Sequence, residues 1–386
     1  MIAVIADDLT GAAEIGGIAL RHQCSVVIDT GVHPHPGVDV MVIATDARSK
    51  TGEEAKTLIA EVTKQLIDLH PKFIFKKTDS LLRGNVGEEL VGQMNASGKA
   101  KVLLVPANPS LGRTIKNGIY YADDVPLNES KLADAALNKI TASGVLALLG
   151  ERFSELSHVI SLDDPLPEAG IMIGNTATES DLEAWAKKMD DSIIPAGGGD
   201  FFNAILKSRA IAKKTIVQHD IILGKKIVYL CGSAFPLSKE YVRAAKSQGR
   251  QVCYMPEHIL CPGIDMQAMA DGWVAAINKS LEQEGEAIIA VDDLRCSGIP
   301  NLSERIRELM ALIIERVLQH TQINELVIEG GATAFSIIKR LHYERLFPVQ
   351  ELAQGVIRMK VHENEELFLT MKPGSYRWPL AIWKPT

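Results

Sequence analysis

Asp7 and Asp8 stand side by side after an apolar run over residues 2–6, and Leu9-Thr10-Gly11-Ala12 follows them. Two adjacent carboxylates can accept a hydroxyl proton, hold a divalent metal or bind substrate hydroxyls. A strand this near the start of the chain that ends in carboxylates predicts a central strand of an α/β sheet, with its acids at the ligand edge. Thr10 or Asp8 can cap a helix over about residues 11–22, whose N-terminus favours a nearby anion. The plainer alternative is a helix cap beside a solvated aspartate, and spacing alone does not choose between them. If strand alternation continues, only one of the two acids faces a ligand.

Other loops after apolar runs carry related chemistry. The stretch from Lys76 to Asn85 gathers Lys77, Thr78, Asp79, Ser80 and Arg83. Two lysines, an arginine, an acid and hydroxyl donors suit a small polyhydroxylated carboxylate better than an apolar ligand. In Thr45-Asp46-Ala47-Arg48-Ser49, Arg48 can clamp a substrate carboxylate at the edge that carries Asp7 and Asp8. Residues 106–114 form a proline-fixed loop that serves the sheet edge structurally or functionally. Gly197-Gly198-Gly199-Asp200 can turn backbone N–H groups toward an anion, with Asp200 either capping the next helix or acting as a base.

In the second half, Gly232-Ser233-Ala234, Gly330-Gly331-Ala332-Thr333 and Lys372-Pro373-Gly374-Ser375 each leave an apolar run. Small residues at strand ends let backbone approach the phosphates of a nucleotide. None of these is a Walker A sequence, and no GxGxxG fingerprint follows a strand, so a dinucleotide-dependent dehydrogenase has little support.

These loops need a scaffold of strands. Apolar runs over 2–6, 26–29, 40–45, 73–76 and 102–105 alternate with helical patterns over 52–69 and 87–95, as in a parallel α/β sheet. The alternation continues through 157–161, 170–174, 178–189 and 193–196, and a helix over about 200–213 ends it. A polar stretch near 214–225 separates this series from another: strands over 227–231, 252–255, 287–291 and 325–329, a long helix over 303–319, a helix over about 334–341 and a last apolar run over 367–371. The expectation is an α/β chain of two domains, 1–218 and 219–386, each a mainly parallel sheet with flanking helices, with the active site in the cleft between them.

Composition narrows the class. With 386 residues, 46% of them hydrophobic, and a net charge of −7, the chain can bury two or three cores, and its acidity argues against a nucleic-acid partner. No apolar run has the length of a membrane span, and the start lacks the basic region of a secretory signal, so a cytoplasmic location is expected. Cys24, Cys231, Cys253, Cys261 and Cys296 are scattered and odd in number, which predicts reduced thiols rather than a disulfide framework or a zinc site. His33 and His35 flank Pro34 without enough convergent donors for zinc, and no metal ligands are assigned.

Taken in order, ADDLTGA, TDARS, KKTDSLLRGNVGEEL, PANPSLGRTIKNGIYY, the glycine turn at 197–199, GSA at 232–234, EGGATA and MKPGS resemble the four-carbon acid sugar kinase family over nearly the whole chain. The resemblance implies ATP-dependent phosphorylation of a hydroxyl on a threonate, erythronate or 3-oxo-tetronate, an N-terminal substrate domain and a C-terminal nucleotide domain. Carried over, the acid at the ADDLTG strand end, Arg48, Lys77, Thr78, Asp79 and Ser80 hold the substrate, and Ser233, Gly330, Gly331, Ala332, Thr333 and Gly374 hold ATP. In-line transfer also needs Mg²⁺, a carboxylate at the attacking hydroxyl, for which Asp8 or Asp7 is the candidate base, and charge from Lys77 and Arg83. The chain departs from the family pattern where GGETS becomes Gly330-Gly331-Ala332-Thr333-Ala334 and where KSGNFG becomes Lys372-Pro373-Gly374-Ser375-Tyr376-Arg377. Backbone cradling survives the loss of a side chain better than the loss of a glycine, so ATP binding stays the expectation. A non-catalytic sensor of sugar acids or nucleotides, and a different enzyme acting on sugar acids, are the alternatives. Self-association into a homo-oligomer stays open.

Overall fold

The computed structural model describes residues 1–135, 140–211, 222–232, 236–291, 299–374 and 376–383. The chain forms two compact units, Met1–Ile216 and Val217–Thr386. The expected boundary at residues 218 and 219 lies outside the described residues.

The first unit runs β1 (Ile2–Ala6), α1 (Leu9–Arg21), β2 (Val26–Asp29), β3 (Val40–Ala44), α2 (Gly52–Asp68), β4 (Ile74–Lys77), α3 (Val86–Ser97) and β5 (Lys101–Val105). A small antiparallel sheet follows, β6 (Arg113–Lys116), β7 (Ile119–Ala122) and β8 (Val125–Pro126), then α4 (Lys131–Ala135) and α5 (Val145–Leu149). The unit closes with β9 (Ser157–Ile160), β10 (Gly170–Gly174), α6 (Glu179–Lys187), β11 (Ile193–Gly197) and α7 (Gly199–Ser208). Its main sheet has the order β2-β3-β1-β4-β11-β5-β10-β9, and every pairing is parallel. Every residue of β1, β2, β3, β10 and β11 is buried, which is why these strands read as unbroken apolar runs. On one side of the sheet, Leu90, Val102, Leu104, Tyr120, Ile171 and Ile194 join a common core.

The second unit runs β12 (Ile227–Cys231), α8 (Pro236–Ser247), β13 (Val252–Tyr254), α9 (Met266–Gln283), β14 (Glu286–Ala290), α10 (Leu302–His320), β15 (Glu325–Glu329) and α11 (Gly331–Arg340). It ends in a meander, β16 (Arg345–Ala353), β17 (Val356–Val361) and β18 (Phe368–Lys372). The strand order is β13-β14-β12-β15-β18-β17-β16, parallel as far as β18 and antiparallel across the meander.

Most strands match their sequence expectation to within a residue or two. Helix starts differ more, for a common reason. α1 begins at Leu9 because Asp8 caps it, α7 at Gly199 because Gly198 occupies the cap, and α11 at Gly331 because Gly330 does. The small sheet, α8, α9 and the β16–β17 pair were not anticipated. Cys24, Cys231 and Cys253 are buried and outside any disulfide, but Cys261 is disulfide-bonded, correcting the expectation of reduced thiols throughout. Spacing without a CxxC motif does not exclude a pairing made by the tertiary fold. Among the described residues no helix is long and apolar enough to cross a membrane.

Candidate active site

The register of the first sheet brings the chemistry-bearing loops to one level. Ala6 pairs with both Ala44 and Lys77, Lys77 with Gly197, and Gly197 with Val105. The loops after β1, β3, β4, β11 and β5 therefore leave the sheet together at its carboxyl edge, where open parallel sheets bind ligands.

Asp8 adopts extended backbone as the cap of α1, and its Oδ1 accepts from the Gly11 N–H at 2.7 Å. Its Oδ2 lies 2.8 Å from Arg48 Nη1. Burial, reinforced by the Asp7 charge, raises the Asp8 carboxyl above its ordinary value against the pull of Arg48 and Lys77, which makes it a better base. Asp7 is buried; its Oδ2 accepts from Arg48 Nε at 2.9 Å and Nη2 at 2.5 Å, while its Oδ1 has no hydrogen-bond partner among the described residues.

Arg48 also lies 3.4 Å from Asp79 Oδ1, so one guanidinium faces three carboxylates. Burial opposes its charge, but Asp7, Asp8 and Asp79 together raise it well above its ordinary value. A left-handed Asp46 starts the short turn that presents Arg48. Gly84, at φ 89°, lets the neighbouring loop pass, since a Cβ there would lie 2.9 Å from Arg48 Cγ.

In the loop after β4, Asp79 accepts from Arg83 Nε and Nη2, each at 2.7 Å, and from the Leu81 and Arg83 N–H groups. Burial would raise this carboxyl, yet Arg48 and Arg83 hold it well below the usual carboxylate range. Lys77 Nζ lies 3.1 Å from Glu14 Oε2 and donates to the Thr78 carbonyl at 3.0 Å. A Cβ on Gly11 would sit 3.0 Å from Asp8 Oδ1 and 3.2 Å from Lys77 Nζ, so glycine leaves room for both at the start of α1. The Thr78 hydroxyl is buried without a partner among the described residues. Ser80 Oγ accepts from Arg113 Nη1 at 2.6 Å.

Asp200 is not the cap of α7. Its carboxylate accepts from the Ser110 N–H and Oγ at 3.1 and 3.0 Å, and burial raises it above its ordinary value. Behind the edge, Lys76 Nζ lies 2.7 Å from Glu89 Oε2, both side chains buried. Glu14, Glu89 and the Arg113 contact were not expected from the sequence. Glu14 had a signal, being the one acid in α1, among mostly small and apolar residues. Arg113 opens a hairpin whose Asn117-Gly118 turn, with φ 51° and 74°, is a strong sequence mark for paired strands.

In the second unit Glu329 pairs with Lys372 across β15 and β18, and the Gly330 N–H donates to the Lys372 carbonyl at 3.0 Å. The expected four-residue turn is a single turn residue, Gly330 at φ 93°, followed by Gly331, Ala332 and Thr333 as the first turn of α11. N–H groups there lack intrahelical acceptors and suit an anion. Among the described residues, a Cβ on Gly330 would meet nothing within 4 Å, and one on Gly232 only Thr333 Oγ1 at 3.8 Å, so the exits of β12 and β15 adjoin. Gly374 follows β18, and Ser233 lies outside the described residues. Beneath these loops Lys372 Nζ and Glu329 Oε1 lie 2.9 Å apart, both fully buried, and Glu329 also accepts from Trp378 Nε1 and Ser238 Oγ. Among the described residues no group of three or more His, Cys, Asp or Glu could hold a metal. His33 and His35 instead both face Asp29 Oδ2, at 3.3 and 2.7 Å.

Two family models match the chain in series, a sugar-binding N-terminal domain over residues 2–205 and a nucleotide-binding C-terminal domain over residues 228–376. A D-erythronate kinase of Heliobacterium modesticaldum is 24% identical over 390 residues, covering 88% of this chain and 85% of its own length. A 3-oxo-tetronate kinase of Haemophilus influenzae is 22% identical over 402 residues, 97% of each chain. Among solved structures, a Haemophilus influenzae protein of 20% identity shares the fold, with a TM-score of 0.72 over 97% of both chains. The two domain models, in this order, account for both sets of strand-end loops, and the chain belongs to the four-carbon acid sugar kinase family.

Proposed function

We propose that this chain transfers the γ-phosphoryl group of ATP to a hydroxyl of a four-carbon sugar acid of the threonate, erythronate or 3-oxo-tetronate type. The observation that carries the reading is Asp8, a carboxylate of raised basicity at a sheet edge crowded with Arg48, Lys77 and Arg83. The substrate hydroxyl donates to Asp8, which takes its proton as the oxygen attacks the γ-phosphorus; the bond to the β-phosphate oxygen breaks and ADP leaves. Asp7 and Arg48 fix Asp8. The unpartnered Asp7 Oδ1 and Thr78 Oγ1 meet substrate hydroxyls, Asp79 and Ser80 shape the pocket, and Lys77 with Arg83 balances charge.

ATP binds at the open first turn of α11, through Gly330, Gly331, Ala332 and Thr333, with Ser233 and Gly374. Mg²⁺ would come with the nucleotide and would supply charge neutralisation at its phosphates. The names of the relatives support the substrate class, and a reaction that consumes ATP suits the cytoplasm. The test is ADP release by purified protein given ATP, Mg²⁺ and a panel of tetronates. Saturable release with at least one is expected. Consumption of a tetronate without ATP, or binding with no ADP from any panel member, would replace the kinase reading with one of the two alternatives.

A further inference from the structure

The reading of a sugar acid as substrate leaves one group without a receptor, its carboxylate, and the cations at the edge are not equally free to take it. Arg48 faces Asp7, Asp8 and Asp79; Arg83 forms a two-bond fork on Asp79; Lys77 faces Glu14; Lys76 is buried on Glu89. A cation already neutralised by carboxylates gains little from another, because the new anion is repelled by the acids already there.

Arg113 differs from all of them. Its side chain makes one hydrogen bond, from Nη1 to the Ser80 hydroxyl, and it has no carboxylate partner among the described residues. Its Nε is buried and unpartnered, a cost that a ligand oxygen would relieve. Backbone pairing holds it firmly: Arg113 N–H donates to the Asn108 carbonyl and Asn108 N–H to the Arg113 carbonyl, at 3.1 and 2.9 Å. Arg113, Ile115, Tyr120 and Ala122 share a face of the hairpin by register. Tyr120 is fully buried, and its hydroxyl too has no partner among the described residues; the charges acting on it are those of Arg113, Asp79, Arg83 and Asp200, which places it among the same loops.

We infer that Arg113 is the specificity-determining residue that receives the substrate carboxylate, holding it as a planar fork beside Ser80 while the hydroxyl-bearing carbons extend toward Asp8. This rests on the sugar-acid reading above and adds to it the group that tells the acid from a neutral polyol. Arg48 then organises the acids instead of clamping the substrate.

The experiment measures binding of erythronate and of erythritol, its uncharged counterpart, by calorimetry to the full-length protein and to Arg113→Gln, with ADP release followed in parallel. Wild type should prefer the acid, and Arg113→Gln should weaken erythronate binding by roughly 10- to 100-fold, as loss of a charge-assisted fork does, bringing it to the level of erythritol. Arg113→Lys keeps the charge without the fork and should weaken erythronate about fivefold to tenfold. It is the deciding variant if the glutamine form does not fold. An acid preference unchanged in these variants overturns the inference and leaves the kinase reading standing. Binding of erythronate by wild type without ADP release, with the preference lost in Arg113→Gln, supports the carboxylate site and ends the kinase reading. No binding of erythronate or any other tetronate by wild type overturns both.

Discussion

Asp8 closes the first turn of α1 and, in the proposed reaction, takes the proton of the attacking hydroxyl. The two duties separate on substitution, because asparagine caps a helix as well as aspartate but cannot act as a base. Asp8→Asn should therefore lower kcat by roughly 10²- to 10⁴-fold while the melting temperature changes by only about 2 °C. Burial raises the Asp8 carboxyl, so the acid limb of kcat in wild type should lie above the pH of an ordinary aspartate, with activity rising as pH rises through it. Near-normal turnover in the asparagine form would remove Asp8 from the mechanism. Asp79 runs the other way. Its folded-state pKa is depressed by Arg48 and Arg83, so its stabilising contribution is present above the unfolded carboxylate value of about 3.9 and is lost as pH falls below it. The gap in melting temperature between wild type and Asp79→Asn should be widest near neutral pH and should narrow in acid; a gap independent of pH would contradict that role. Asp7, Asp8, Arg48, Asp79 and Arg83 were legible in the sequence because each follows an apolar run. Their pairings were not, since Arg48 reaches Asp7 from 41 residues away only through the parallel register of β1 and β3.

At the scale of elements, the buried pair between Lys76 on β4 and Glu89 on α3 ties a helix to the sheet just behind the edge. Removing one partner strands a charge in the interior, whereas replacing both with apolar residues does not. Glu89→Leu should destabilise the protein by roughly 3–5 kcal/mol in urea unfolding, and Lys76→Met with Glu89→Leu should recover most of that. Additive losses in the double variant would mean that the pair contributes no coupling. In the main sheet of the first unit, strands such as β1 and β3 were readable because both of their faces are buried and they appear as continuous apolar runs. The β16–β17 pair was not, because β16 is partly exposed past Pro348 and its pairing is broken by register shifts, so neither strand reads as a continuous apolar run. Asn117-Gly118 did mark the β6–β7 hairpin, and with it Arg113 and Tyr120, but the surrounding loop drew attention as a proline-fixed edge rather than as paired strands. In the second unit, Gly330 and Gly374 were legible as small residues at strand ends. The Glu329–Lys372 pair that anchors both exits could be seen only once β15 and β18 were known to be neighbours.

At the scale of the whole chain, two α/β units stand in series, one matching a sugar-binding domain and the other a nucleotide-binding domain. In the sequence, the expectation of two domains rests on a polar stretch near 214–225 followed by a second series of strands and helices, while the substitutions in EGGATA and MKPGS make the nucleotide loops the least conforming part. Gly330 and Gly232, at which a Cβ would crowd no described residue, lie beside the first turn of α11 and support backbone recognition of phosphate without the side chains the family usually carries there. Transfer to a sugar hydroxyl, as opposed to hydrolysis or mere binding, is tested most directly by ³¹P NMR of the protein mixed with ATP, Mg²⁺ and the tetronate it binds best. The expected result is loss of the γ-phosphate signal matched by an equal gain of a phosphomonoester coupled to a proton on the substrate carbon. Release of inorganic phosphate alone, or an unchanged ATP spectrum with the tetronate bound, would contradict it.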